Sequence, residues 1–180
     1  KEWNILKLPD KISLKDAATT EPLSVGIHAL RQGGFLEEAP KKLLIIGGGF
    51  IGPLTAMVAR QSSPSTDITV IDRNKFKLDL LAGSGINTLL IDGPDSWKDY
   101  IDKEIRFEMV IEATGISELF SYSIQLTQRS GNLIWMGNIY NDLSIESSVV
   151  SSILRKEITI RGTWNSSFKT TKDDWTLALS

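Results

Sequence analysis

The sequence predicts an α/β fold in which a doubly wound parallel sheet of six strands, ordered 3-2-1-4-5-6, carries helices on both faces. Three observations predict it. Short apolar runs alternate with helix-like segments from Lys42 to Arg161, and strands that alternate with helices imply right-handed crossovers and a covered parallel sheet. The first apolar run passes into a helix through a run of glycines. Six strands in this alternation fit the order in which the chain starts at the centre, builds one edge, and returns to build the other.

Taken in order, residues 1–12 read as extended, with Leu6, Leu8 and Ile12 apolar and a turn at Pro9-Asp10. Ser13 is an N-cap with Asp16 at the capping-box position. A helical segment from Leu14 to Thr20 is expected to stop at Glu21-Pro22, because proline disfavours a helical residue before it. A second helix runs from Leu23 to Gln32 and ends at Gly33-Gly34, and Phe35 to Pro40 is a linker. Strand 1 is read as Lys42 to Ile46, helix 1 as Phe50 to Ser62 and strand 2 as Asp67 to Ile71. Helix 2 covers Lys75 to Ala82, strand 3 Thr88 to Ile91, and a short helix Ser96 to Lys103. Strand 4 is Phe107 to Glu112, followed by a helix from Glu118 to Gln128 and strand 5 from Asn132 to Met136. A helix from Glu146 to Arg155 precedes strand 6, Glu157 to Arg161. Asp173 to Ser180 reads as the start of another helix.

Lys42 to Asp72 organises the rest. Gly47, Gly49 and Gly52 fit G-x-G-x-x-G between a strand and a helix. Gly47 permits the turn, Gly49 lets a pyrophosphate approach the backbone, and Gly52 lets the helix pack on the strand. The helix N-terminus, with Phe50 and Ile51 at its start, presents amide groups and a positive dipole end to that diphosphate. Asp72 lies about 20 residues further on, where a carboxylate accepts hydrogen bonds from an adenosine ribose. Together these predict a dinucleotide site of the Rossmann type. A carboxylate there favours NAD, since it would repel the 2′-phosphate of NADP. Arg73 could stack on adenine or bind that phosphate, and Lys77 could reach the ribose or simply be a solvated helix lysine. Ala113-Thr114-Gly115 and Met136-Gly137-Asn138 place small or turn-forming residues at strand carboxyl ends, where open parallel sheets bind ligands. His28, the single histidine, sits among Val25, Ile27 and Leu30 and reads as structural. Glu21 reads as a helix-end carboxylate with no metal-ligand cluster around it.

The 180 residues make one domain with room for a core. A net charge of -2 gives no footing for a nucleic-acid or anionic-membrane partner. No cysteine is present, which removes disulfides and cysteine-based metal sites from this chain. The apolar runs fall short of a membrane span, no signal peptide is read at Lys1-Glu2-Trp3, and a cytoplasmic location is expected. The absence of an initiator methionine suggests a fragment or a processed chain.

With these residues laid out, the chain resembles the zinc-dependent medium-chain dehydrogenases, the alcohol dehydrogenase superfamily, and within it the polyol branch of sorbitol and galactitol-1-phosphate dehydrogenases. The resemblance rests on Leu8-Pro9-Asp10, Ala17-Ala18, Glu21-Pro22-Leu23-Ser24-Val25-Gly26 with His28-Ala29, the Gly47 to Gly52 loop, Val110 to Gly115, Leu154 to Ile160 and Gly162-Thr163-Trp164. It extends from about Leu6 to Trp164.

The family subunit carries its cofactor domain inserted in a catalytic domain, and the resemblance implies that this chain is the inserted part with its lead-in. It implies that Glu21 stands where the family supplies a later zinc ligand or a carboxylate next to the zinc, although the other ligands are not in this chain. It implies that Val25 and Ile51 border the nicotinamide ring, that Lys77 is the basic residue at the ribose, and that strand 6 pairs across a twofold axis in a homo-oligomer.

The resulting expectation is three segments: a lead-in over 1–40, an NAD-binding Rossmann domain over 41–165, and 166–180 starting the return to a catalytic domain. The function expected is NAD(H) binding in a zinc-containing enzyme that transfers hydride between a secondary alcohol, a sugar alcohol or its phosphate, and NAD. The chain alone is expected to bind without turnover. A non-enzymatic NAD-sensing module and an S-adenosylmethionine-dependent methyltransferase share the glycine loop and the acid after strand 2. The sensing module would not need the Glu21 to Gly26 segment, and the methyltransferase loop usually lacks the third glycine, placed here at Gly52.

Overall fold

The computed structural model describes residues 5–168 and 173–180. In chain order its elements are α1 (Leu14–Ala17), α2 (Thr20–Gln32), β1 (Lys42–Ile46), α3 (Ile51–Ser62), β2 (Asp67–Asp72), α4 (Lys75–Asp79), β3 (Asn87–Leu90), α5 (Pro94–Asp102), β4 (Phe107–Glu112), α6 (Ser117–Leu126), β5 (Thr127–Trp135), α7 (Ser147–Lys156), β6 (Thr159–Gly162) and α8 (Asp174–Ala178). All strands run parallel in one sheet ordered β3-β2-β1-β4-β5-β6, as the alternation predicts.

The central strands are dominated by buried apolar residues because both faces are covered. Alternate residues of β1 serve different cores. Leu43 and Ile45 pack with Ala29, Leu30, Phe35 and Ala56 on one side. Leu44 and Ile46 pack with Trp97, Tyr100, Phe120 and Ile124 on the other. The first core thus includes α2, from the lead-in. Gly26 permits this packing: a Cβ there would stand 2.4 Å from Thr55 Oγ1 on α3.

Helix α8 docks on α2 through charge. The Asp174 carboxylate is fully buried and meets His28 Nδ1 at 2.8 Å, the Arg31 guanidinium, and the Ser167 amide at 2.7 Å. His28 is therefore engaged in packing, and the helix expected from Asp173 onward forms with Asp173 as its cap.

Several boundaries move for physical reasons. Pro22 does not interrupt a helix. It occupies the first turn of α2, where its missing N–H costs no intrahelical bond, and the break falls earlier, after Ala17. Helix α4 stops at Asp79, short of Ala82, and the turns that follow carry left-handed Gly83 and Gly85. Helix α5 starts two residues early because Pro94 takes the first helical position. Helix α6 ends at Leu126, short of Gln128, and β5 starts at Thr127. Its register against β4 jumps between Phe107↔Thr127 and Met109↔Asn132, so the polar stretch Gln128 to Gly131 is a bulge, with Ser130 at φ 56°. Strand β6 starts at Thr159 rather than Glu157, because Glu157 takes the left-handed conformation that closes α7. The Ile158 amide reaches back to Ile153 O at 3.0 Å there. Ser13 does cap α1, accepting from the Asp16 amide at 3.1 Å. The start of the extended reading of 1–12, and 169–172 within the expected return segment, lie outside the described residues.

Candidate functional site

The carboxyl ends of the strands carry two cavities. The larger, about 520 Å³, lies over β1, β2, β3 and β4 and is lined by Gly47, Gly49, Asp72, Arg73, Lys77, Ala113 and Thr114, among others. The smaller, about 300 Å³, lies over β5 and β6 and includes Gly137, Asn138, Thr163 and Trp164. Position relative to the sheet is what the topology dictates, since the strand order reverses between β1 and β4 and leaves a crevice there.

The glycine turn is built for close approach. Gly47 sits at φ 121°, and a Cβ on Gly52 would fall 1.9 Å from Gly47 O, so α3 starts directly against the turn. Nothing lies within 4 Å of where a Gly49 Cβ would be, and Gly49 lines the larger cavity. Phe50, the N-cap, makes no side-chain cap bond, so the first amides of α3 remain turned to an anion. Gly48, to which the motif assigns no role, is also required: its Cβ would stand 2.9 Å from Asp72 Cβ.

Asp72 ties the turn to β2. Its Oδ2 accepts from the Gly48 amide at 2.7 Å and its Oδ1 from the Asn74 amide at 2.8 Å. A carboxylate has about four acceptor sites, so capacity remains for two ribose hydroxyls. Lys77 Nζ stands 3.9 Å from Asp72 Oδ2, a long contact between a half-exposed ammonium and a largely buried carboxylate, and it leaves a positive charge beside the ribose position. Arg73 is exposed at the cavity mouth.

The predicted residues do not all converge. Gly137 belongs to the smaller cavity, and Gly52 is buried beneath Gly47. Val25 and Ile51 are half-buried, and neither they nor Phe50 line these two cavities. Glu21 is exposed on the first turn of α2. Among the described residues no three His, Cys, Asp or Glu side chains come together as a metal centre. The far wall of the larger cavity, formed by Ile91, Gly93, Trp97, Leu119 and Tyr122, carries no role in the sequence reading. Its available signal is Gly93-Pro94 after strand 3, with apolar residues spaced along the two helices that follow.

Glu112 also carries no role there. It ends β4, is 0% exposed, and its Oε1 accepts from the Thr114 amide at 2.7 Å, the Thr114 hydroxyl, and the Gly115 amide at 3.1 Å. Burial pushes this carboxyl above the ordinary glutamate range, while the Thr114 hydroxyl and the amides of Thr114, Gly115 and Gly137 pull it back. A raised folded-state value means that protonation favours the fold. The stability it carries is full below the unfolded-state value and is lost as pH rises through the folded-state value. Lowering pH from neutral towards the ordinary glutamate range is therefore expected to stabilise the native chain relative to Glu112→Gln. Thermal midpoints of both proteins over that range check this, and parallel profiles would contradict it.

Residues 51–180 match the family described as zinc-binding dehydrogenase. The chain belongs to that family. Among zinc-binding dehydrogenases, galactitol 1-phosphate 5-dehydrogenase of Escherichia coli K12 is 29% identical over 91% of this chain and 47% of its own length. Human sorbitol dehydrogenase is 32% identical over 73% of this chain and 37% of its own length. The crystal structure of galactitol-1-phosphate dehydrogenase from E. coli superposes with a TM-score of 0.83 and 28% identity, covering 99% of this chain and 52% of that one. The chain thus spans about half the length, or less, of these curated relatives. Among the described residues no helix is long and apolar enough to cross a membrane.

Proposed function

We propose that this chain is the NAD(H)-binding domain of a zinc-dependent polyol or alcohol dehydrogenase. The observation that carries the reading is the pairing, in one cavity, of an open backbone cradle at Gly49 with the Asp72 carboxylate. The cradle is the space a pyrophosphate needs, and the carboxylate accepts from ribose hydroxyls. Gly47, Gly49 and Gly52, with the α3 amides at Phe50 and Ile51, would hold the diphosphate. Asp72, Arg73 and Lys77 would hold the adenosine ribose. Ala113 and Thr114 would lie under the cofactor as it passes towards Gly137, with Val25 and Ile51 nearer the nicotinamide.

Bound there, the nicotinamide accepts or gives up a hydride. The names of the relatives support a sugar alcohol or its phosphate as the substrate of the intact enzyme. The described residues do not fit a zinc centre by themselves, and Glu21 would join one only with ligands from outside this chain. This chain's own chemistry is confined to binding and orienting the cofactor. The exposed edge of β6, where Thr159 and Arg161 face solvent, suits pairing of two cofactor domains, and a cytoplasmic location fits such an enzyme.

The test is a titration with NADH, NADPH and S-adenosylmethionine followed by tryptophan fluorescence, since Trp97 and Trp164 line the two cavities. NADH is expected to bind about tenfold tighter than NADPH, because a 2′-phosphate would stand against a carboxylate. Asp72→Ala is expected to narrow the gap. Equal or tighter binding of NADPH would overturn the NAD assignment, and binding of S-adenosylmethionine instead would overturn the dehydrogenase reading.

A further inference from the structure

We propose that Glu112 is a positioning residue: it holds the ridge between the two cavities low enough for one dinucleotide to occupy both. The inference rests on the cofactor reading above. A cofactor that reaches from the Asp72 side to the Gly137 side must cross the ends of β4 and β5. There Ala113 and Thr114 border the larger cavity and Gly137 the smaller.

The two loops of this ridge meet backbone to backbone. A Cβ on Gly115 would fall 2.2 Å from Asn138 O, and one on Gly137 would fall 2.1 Å from the Gly115 amide nitrogen and 2.6 Å from Glu112 Oε2. Backbones this close need a common anchor, and Glu112 supplies it from below with two groups. Its main-chain carbonyl accepts from the Met136 and Gly137 amides, both at 2.9 Å. Its carboxylate accepts from the Thr114 amide at 2.7 Å, from the Thr114 hydroxyl, and from the Gly115 amide at 3.1 and 3.4 Å. The carbonyl holds the β5 loop, and the carboxylate holds the β4 loop and draws on the Gly137 amide as well.

Oε1, which takes three of these hydrogen bonds, must remain an acceptor, and a proton bound here belongs on Oε2. Every partner the carboxylate meets is an N–H or O–H, and it is shut off from water. A glutamine of the same shape keeps an acceptor at the Oε1 position but puts an N–H₂ group where Oε2 faces the Gly115 and Gly137 backbone, donor against donor. The two loops would therefore be pushed apart where they meet. At the adenosine end, Asp72 bonds the Gly48 and Asn74 amides and shares no hydrogen bond with Glu112, so it would stay as it is.

The experiment compares native chain and Glu112→Gln for binding of NADH, which needs both cavities, and of AMP, which needs only the adenosine end. Circular dichroism checks that the variant is folded. NADH is expected to weaken about tenfold or more, and AMP to stay within about twofold. Unchanged NADH affinity in folded Glu112→Gln, or equal losses for NADH and AMP, overturns the inference, since a merely structural role would move both ligands together. Should Glu112→Gln fail to fold, Glu112→Asp gives the decision: it keeps the carboxylate but draws it back by one methylene from Thr114 and Gly115, and the same selective loss for NADH is expected. Failure of the native chain to bind either ligand is a separate result, which overturns the cofactor reading and this inference with it.

Discussion

Gly49→Val is expected to abolish NADH binding while the domain stays folded. Space around this position is open, with nothing within 4 Å of the missing Cβ, so the fold has no clash to absorb. The same space is where the diphosphate would lie, and a branched side chain fixed at χ1 would fill it. Losing the α3 amides and the close backbone approach together removes charge-assisted hydrogen bonds of about 1.5–3 kcal/mol each. Affinity is therefore expected to fall by at least about a hundredfold. Fluorescence titration with NADH checks the loss, and a thermal melt checks the fold. Unchanged affinity in a folded variant would mean that the dinucleotide does not lie on this turn.

Asp174→Ala is expected to produce the largest loss of stability. The carboxylate is fully buried and joins His28 and Arg31 of α2 to the segment that begins α8. Removing it takes a fully buried acceptor from His28, Arg31 and the Ser167 amide together, and breaking a buried pair costs about 3–5 kcal/mol. For a chain of this size that is about 10 °C of thermal midpoint. Asp174→Asn, which keeps the shape and one acceptor, is expected to lose less. Loss of under about 1 kcal/mol in the alanine variant, the level of an exposed pair, would show that this contact does not hold α8 in place.

What the sequence revealed follows from how strongly each segment is constrained. Strands β1 and β4 match their predicted bounds residue for residue, because a strand buried on both faces leaves a dense apolar stretch, Leu43 to Ile46 in one and Met109 to Ile111 in the other. Strand β5 does not, because the polar bulge Gln128 to Gly131 hides its first half and resembles the end of a helix. Pro22 misled because its meaning depends on position: one turn further into α2 it would break the helix, and at the start it is harmless. In the site, Gly47, Gly49 and Asp72 were legible because fixed spacing follows from backbone geometry. Glu112 was not, since an acid at a strand end ordinarily reads as solvated. The signal lay in its context, three buried apolar residues before it and the donors of Thr114 and Gly115 just after.

The reversal of strand order at β1 and β4 has a thermodynamic consequence. The walls of the larger cavity come from two stretches of chain: Gly47, Asp72 and Ile91 from the half made by β1 to β3, Ala113 and Leu119 from the half that starts at β4. A ligand seated there touches both halves at once, so its binding energy opposes their separation. By mass action a cofactor at 100 times its dissociation constant would add about 2.7 kcal/mol to the global stability. Local opening along the β1–β4 seam would be suppressed in the same proportion, which makes the cofactor a fastener between the two halves as well as a reactant.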